Sequence, residues 1–192
     1  MDVSEAIFSR RSVRAYLSDP IPDEVLQEIL DAGLYAPSAV NFQPWYLVVI
    51  KSPERRQELA DALHTMSQKV LPILQARFEK HPEVVRETHR FIEDLGGAPV
   101  VVLAFQHKPS YPKEQSTIIQ SVSAAIENML IMAQGKGIGS CWLTAPLETG
   151  MSEEFQKAYA PDHGPLVAML CFGYPAKVSK APARKDGRYV IL

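Results

Sequence analysis

The chain has 192 residues, 46% of them apolar, and its 20 lysines and arginines nearly balance 22 acidic residues to give a formal net charge of -2. This composition predicts a packed core. The balanced charge is compatible with small ligands and with protein partners, and it gives no sign of nucleic-acid or membrane binding. Acidic Asp2 and Glu5 stand where a secretory signal would carry positive charge, and no apolar run predicts a membrane span. Cys141 and Cys171 lie in apolar runs typical of reduced, buried thiols, so we expect a cytoplasmic protein.

Helical and strand patterns alternate along the chain. Helices are predicted at residues 3–9, from Pro22 to before Pro37, from Ser52 onward, at 116–134, and from a possible Ser152 cap to Tyr159. Buried strands are predicted at residues 46–50 and 98–105, and two further strands are predicted at residues 140–143 and 166–172. We expect a single domain over residues 1–192.

Two segments stand outside this regular alternation. Residues 63–95 are predicted as a less regular, charged helical stretch, punctuated by Pro72 and Pro82, that forms an excursion over the site. Residues 175–192 are predicted as a basic, proline-rich arm that closes on the apolar segment 189–192. Because such an end is costly to leave in water, we expect it to join a sheet edge of its own subunit or of a partner.

Three arginines fall within five residues, in the sequence Arg10-Arg11-Ser12-Val13-Arg14. The slightly negative net charge of the chain makes this a local positive cluster and not part of a general basic surface. Guanidinium groups and a hydroxyl offer several donors at fixed angles, which suits a phosphate. The alternative is a solvated surface run.

A second polar segment, Pro37-Ser38-Ala39-Val40-Asn41-Phe42-Gln43-Pro44-Trp45, follows the second predicted helix. Its proline and short polar side chains are typical of a rigid turn that bonds a polar ligand edge. An ordinary helix end followed by a strand explains the same composition. From composition alone both interpretations stay open.

With these two segments, three later motifs make the chain resemble the nitroreductase family of FMN enzymes. They are Gly137-Ile138-Gly139-Ser140-Cys141-Trp142-Leu143, Phe172-Gly173-Tyr174-Pro175-Ala176 and the basic pair Arg184-Lys185. Each motif is weak alone, and their order and spacing make the set specific. The resemblance implies an α+β fold with a central, mainly antiparallel sheet flanked by helices, built as an intertwined homodimer with FMN at the interface.

The resemblance also implies roles for individual residues. Arg10 and Ser12 match phosphate ligands, Arg11 matches a ligand of the phosphate or ribityl chain, and Arg14 matches a ligand of the pyrimidine edge. A loop that reaches the flavin from the neighbouring subunit matches Pro37, Ser38, Ala39 and Asn41, with Gln43 a weaker candidate. Backbone along the flavin ring matches Leu143, Thr144 and Ala145. Phosphate ligands near the C-terminus match Arg184 and Lys185, with Arg188 as the fallback.

The function implied is an FMN-dependent oxidoreductase that takes hydride from NADH or NADPH and reduces a nitroaromatic, a quinone or a conjugated carbonyl. The five histidines show no paired ligand spacing, and no nucleophile elbow or Walker loop is present, so we expect neither a metal nor a catalytic nucleophile. The cofactor would carry the reaction. Two alternatives stay open: a flavin-binding carrier or sensor without efficient turnover, and another reaction on the same scaffold, such as flavin cleavage or reductive dehalogenation.

Overall fold

The structure is a computed structural model that describes residues 1–108, 114–177 and 180–192. The helices are α1 (Val3–Ser9), α2 (Asp23–Leu34), α3 (Pro53–Arg77), α4 (Pro82–Asp94), α5 (Gln115–Gly135), α6 (Ala145–Glu148) and α7 (Ser152–Tyr159). The strands are β1 (Trp45–Ile50), β2 (Val100–Gln106), β3 (Gly139–Leu143) and β4 (Leu166–Gly173). Short 3₁₀ turns lie at Ala39–Asn41 and Leu95–Gly97.

The four strands form one sheet in the order β1-β2-β4-β3, and each neighbouring pair is antiparallel. An isolated parallel bridge between Ser12 and Ser140 attaches the arginine segment beside β3. Helices cover the sheet, so the predicted α+β fold with a mainly antiparallel sheet is confirmed. This arrangement puts the segment before β1 and the segment beside β3 at opposite edges of the sheet.

The two faces of the sheet contribute to two separate clusters of buried side chains. Alternate side chains of a strand point to opposite faces, and in β2 Val101, Leu103 and Phe105 belong to one cluster while Val100, Val102 and Ala104 belong to the other. The first cluster includes side chains of α3 and α4, and the second includes side chains of α2 and α5. The pair α3 and α4 therefore forms part of the core and also overlies the face on which the site is built.

By length and composition α5 alone, among the described helices, is apolar enough to cross a membrane, which the sequence did not lead us to expect. Eight of its residues are buried, and it packs against α1, α2 and the sheet. Burial within the protein thus accounts for its apolar composition.

Several local predictions differ from the structure. Pro72 lies inside α3, which continues unbroken from its Ser52 cap. A proline inside a helix costs about 3 kcal/mol. The burial of Met66, Val70 and Leu74 on the inner face of the helix offsets this cost. Strand β1 is half-exposed and not fully buried, since it lies at an edge of the sheet. Ser152 begins α7 without capping it, and its hydroxyl donates to the carbonyl of Leu166 at 3.3 Å.

The two thiols and the C-terminal end have contrasting surroundings. Cys141 and Cys171 face each other across β3 and β4, are free and buried, and burial raises the pKa of both thiols. Residues 189–192 are almost fully exposed and form no strand within this one chain. The addition of this segment to a sheet edge stays a prediction.

Candidate active site

The arginine segment lies in extended form beside β3. The amide of Val13 donates to the carbonyl of Ser140 at 2.8 Å, and the hydroxyl of Tyr16 donates to the carbonyl of Val13 at 2.8 Å. Val13 and Tyr16 are buried, and burial raises the pKa of Tyr16 well above its usual range. Ser12 and Arg14 are the exposed neighbours of Val13. The period-2 alternation of an extended chain thereby presents the hydroxyl and one guanidinium to the same open side.

The first two arginines of the segment are engaged at the end of α1. Arg11 donates through Nη1 to the carbonyls of Phe8, at 2.8 Å, and Arg10, at 2.6 Å. The Nε atom of Arg10 lies 3.3 Å from Oε1 of Glu127 on α5. A cation on the last carbonyls of a helix is favoured by the helix dipole. This geometry gives Arg11 a structural role, and its assignment to the cofactor stays a prediction.

Gly96 sets the position of the Arg14 backbone. The Tyr16 amide donates to the Gly96 carbonyl at 2.9 Å, and the Gly96 amide donates to Oδ1 of Asp94 at 2.7 Å. Gly96 has a φ of +64°, and a Cβ atom there would lie 2.3 Å from the carbonyl oxygen of Arg14. Only glycine fits this approach.

A first cavity of about 480 Å³ opens beside this segment. Its lining includes the cations Arg14, Arg90 and Lys177 and the hydroxyl of Ser12, together with the carboxylates of Glu87 and Asp94. Three cations and a hydroxyl around one cavity suit a phosphate, because each offers charge-assisted donors. The three cations outnumber the two carboxylates, so the lining of the first cavity is net positive.

A second cavity, also of about 480 Å³, lies between α3, α4 and the end of β3. Most of its lining side chains are apolar, and the segment Cys141–Ala145 forms one wall; the apolar side chains from the two helices are Val70, Leu74, Phe78, Val84, Phe91 and Ile92. At its rim Nη2 of Arg77 lies 2.8 Å from Oε2 of Glu148. An apolar cleft with a few polar groups is the usual form of a cofactor or ligand site.

Arg14 and Phe91 separate the two cavities and line both of them, as does Glu87. The Cζ atom of Arg14 lies 5.9 Å from the centre of the Phe91 ring, within the range of a cation–π contact. The aromatic face thus restrains the Arg14 guanidinium between the first cavity, which suits a phosphate, and the second cavity, which is mostly apolar.

Five of the residues predicted from the sequence come together here, namely Ser12, Arg14, Leu143, Thr144 and Ala145. The structure adds residues that are not among the cofactor ligands predicted from the sequence. Arg90 and Phe91 come from α4, Lys177 follows β4, and Arg77 and Glu148 form the rim. For Arg90 and Phe91 the sequence signal is the amphipathic pattern of α4, which does not say what the helix covers.

The loop at residues 37–43 is tightly bonded within itself. The Gln43 amide donates to the Ser38 hydroxyl at 2.9 Å, the Gln43 side chain donates to Oδ1 of Asn41 at 3.1 Å, and the Ala39 amide donates to the hydroxyl of Ser121 at 3.4 Å. Val40, Asn41 and Gln43 all have φ near +50°. Left-handed conformations outside glycine are strained, and for a β-branched residue such as Val40 they are rare.

The loop and the arginine segment lie at opposite edges of the sheet, since the loop leads into β1 and the segment lies beside β3. With strands about 4.8 Å apart, the three spacings from β1 to β3 put the edges roughly 14 Å apart. Among the described residues, Pro37, Ser38, Ala39, Asn41 and Gln43 therefore line neither cavity. Arg10, Arg11 and the exposed Arg184 and Lys185 of the arm also lie outside both linings.

The fold and the two adjoining cavities have the shape and chemistry that suit a phosphorylated cofactor with a large ring. Residues 7–174 match the model of the Nitroreductase family, and the chain belongs to that family. The resemblance found in the sequence motifs is thus confirmed.

Relatives of the chain support this assignment over its full length. An "NADH dehydrogenase" of Thermus thermophilus is 29% identical over 100% of this chain and 96% of its own. "Iodotyrosine deiodinase 1" of Rattus norvegicus is 26% identical over 94% of this chain and 65% of its own. The crystal structure of a nitroreductase with bound FMN from Bacteroides fragilis has a TM-score of 0.72 at 25% identity, with 100% and 99% coverage. A BluB-like flavoprotein from Clostridium difficile has a TM-score of 0.71 at 29% identity, with 96% and 95% coverage.

Proposed function

We propose that this protein is an FMN-dependent oxidoreductase that takes hydride from NADH or NADPH and reduces a small oxidised acceptor such as a nitroaromatic, a quinone or a conjugated carbonyl. The observation that carries the proposal is the pair of adjoining cavities, one cationic and one apolar, divided by Arg14 and Phe91. This division matches the two ends of FMN, a phosphate and a flat ring. The nitroreductase from Bacteroides fragilis is described with FMN bound.

The residues present fit that cofactor. Ser12, Arg90 and Lys177 would hold the phosphate, and the wall at 143–145 would lie along the ring. When bound, FMN supplies the hydride and electron transfer that no side chain here can perform. Arg14 would hold a fixed positive charge beside the ring and favour the state in which the ring gains negative charge. The apolar side chains of α3 and α4 would exclude water from that side.

The active enzyme that we propose is a homodimer. The strained loop at 37–43 lies at the sheet edge opposite the cavities, so a second subunit is needed to bring it to them. Large apolar side chains are also exposed in this one chain, on α1, after α2, in the loop and at the C-terminus: Val3, Ile7, Phe8, Tyr35, Val40, Tyr189 and Ile191. Exposed apolar surface of this kind marks interfaces. The arm with Arg184 and Lys185 would then reach the partner, and a cytoplasmic location belongs to the same proposal.

Anaerobic spectroscopy tests the proposed reaction directly. The purified protein should carry a cofactor that is released on denaturation and identified as FMN by chromatography. Its visible flavin absorbance should bleach on addition of NADH or NADPH and return when a quinone is added. Protein that binds no FMN, or whose FMN stays oxidised with both nicotinamides, would contradict the proposal.

A second candidate reaction is reductive dehalogenation, which the similarity to iodotyrosine deiodinase over 94% of the chain favours. The apolar second cavity with the Arg77–Glu148 pair at its rim could hold a charged aromatic substrate. Halide release from halogenated phenols by the reduced enzyme, faster than quinone reduction, would support this reaction.

Slow reduction by nicotinamide in stopped flow with tight FMN binding would instead indicate a carrier or sensor.

A further inference from the structure

Two histidines meet at the end of the sheet from which the loop at 37–43 departs. His107 follows β2, and His163 lies in the turn before β4. Their Nδ1 atoms are 3.3 Å apart although the residues are 56 positions apart in the sequence. Sequence spacing therefore gives no sign of the pair, and the expectation of no metal rested on that spacing.

The surroundings of the pair restrain both imidazoles. The ring of Tyr46 stacks on the ring of His163 with centroids 3.5 Å apart and planes inclined by 13°. The Gln156 side chain donates to the His163 carbonyl at 2.7 Å, and the His107 amide donates to the carbonyl of Pro44 at 2.8 Å. The two imidazole rings are tilted by 43°, with centroids 5.3 Å apart. These contacts hold the two Nδ1 atoms so that they face each other.

The separation of the nitrogens matches that of two ligands on one metal ion. Zn–N bonds of about 2.0–2.1 Å at a tetrahedral angle put two ligand nitrogens roughly 3.3 Å apart. The observed distance of 3.3 Å fits two nitrogens on a shared cation, and a shared proton is the alternative that the titration with Zn²⁺ distinguishes.

We propose that His107 and His163 bind a divalent transition-metal ion of the kind that imidazole prefers, Zn²⁺, Ni²⁺ or Cu²⁺. His107 is exposed and His163 is half-buried, so water can complete the coordination. In the part of the chain that the structure describes, no group of three or more histidine, cysteine, aspartate or glutamate residues could hold a metal. The site is accordingly one with two protein ligands and open positions.

A metal here would act on the fold beside the loop and not on the hydride transfer. It would join the end of β2 to the start of β4, and through Pro44 and Tyr46 it would restrain the base of the loop at 37–43. An ion that binds the folded chain and not the unfolded one raises the stability of the fold.

Calorimetric titration of the metal-free holoenzyme with ZnCl₂ tests the proposal independently of the oxidoreductase assay. We expect one Zn²⁺ per chain and a rise in the thermal unfolding midpoint, both lost in His107→Gln and in His163→Phe. The phenylalanine retains the aromatic stack on Tyr46 and removes only the ligand nitrogens. As the matched control, His81→Gln removes an exposed imidazole that lies 3.3 Å from a carboxylate oxygen of Glu83, and it should leave both effects unchanged.

Three outcomes would overturn the assignment. They are the absence of Zn²⁺ binding in the parent protein, binding that survives in both variants, and binding that is lost in His81→Gln but kept in the other two. A variant that retains its circular dichroism and its FMN content is folded, so loss of Zn²⁺ binding in such a variant reports on the ligands themselves.

Discussion

Replacement of Gly96 by alanine tests how the fold fixes the site, because this residue carries two separate constraints. Its φ of +64° is left-handed, and its Cα approaches the Arg14 backbone so closely that an added Cβ would lie 2.3 Å from the carbonyl oxygen and 2.7 Å from the carbonyl carbon. The left-handed conformation costs about 1–2 kcal/mol for a residue with a Cβ atom. Forcing backbone apart adds about 1–3 kcal/mol. We expect Gly96→Ala to lower the free energy of unfolding by about 2–5 kcal/mol.

Two further glycines separate these contributions. Gly150 has a φ of +71° with open space where a Cβ atom would lie, so Gly150→Ala should show the conformational cost alone, about 1–2 kcal/mol. Gly135 ends α5 without a positive φ or a close neighbour, and Gly135→Ala should be neutral or should stabilise by about 0.5–1 kcal/mol. The difference between Gly96→Ala and Gly150→Ala isolates the contact with Arg14.

Urea unfolding of the cofactor-free variants, followed by circular dichroism, gives these free energies when the dependence on urea is unchanged. FMN affinity, measured by fluorescence quenching, should fall in Gly96→Ala, because Arg14 is displaced, and should not change in Gly150→Ala. If Gly96→Ala destabilises no more than Gly150→Ala, the close approach does not constrain the chain and the reasoning is wrong.

The remaining predictions concern the arginines, a thiol and the arm. Arg90→Ala, which removes a cation from the first cavity, should weaken FMN binding only, whereas Arg14→Ala should also lower the flavin reduction potential; equal effects in potentiometry would refute the division. Burial raises the pKa of the Cys171 thiol, so the folded state retains a proton that the unfolded state loses, and stability should fall as pH rises above about 8.5. In Cys171→Ala the slope of stability against pH should be smaller, and an unchanged slope contradicts this cause. Deletion of residues 189–192 should lower thermal stability and weaken the proposed dimer in analytical ultracentrifugation, and an unaltered molecule would argue against strand addition.

Local patterns predicted most of the elements because their causes are local. The predicted helix at 3–9 is present, and Asp2 and Glu5 form a capping box at its start. The end of α5 follows from the glycines at 135–139, where Gly137 adopts a φ of +75°. Pro72 shows the opposite case, since the local signal for a helix break is overridden by tertiary packing of the same helix on the sheet.

The site divides in the same way. Ser12 and Arg14 could be predicted because their motif is contiguous and its alternation decides which side chains face outward. Arg90 and Lys177 could not, because they reach the first cavity through the packing of α4 and through the chain after β4. The arginines of the motif also differ in a way that the sequence does not indicate. The side chain of Arg11 already donates to carbonyls at the end of α1.

The loop at 37–43 bears on the two interpretations that its composition left open. A helix end followed by a strand requires no strained residue, yet Val40, Asn41 and Gln43 are left-handed, at an expected cost of about 1–2 kcal/mol each for Val40 and Gln43. The Gln43 amide donates to the Ser38 hydroxyl and the Gln43 side chain donates to Oδ1 of Asn41, and these bonds hold the conformation of the loop before any ligand binds. Strain of this kind persists where a defined shape is needed for binding. It therefore favours a loop preformed for a ligand or a partner subunit over an ordinary connection.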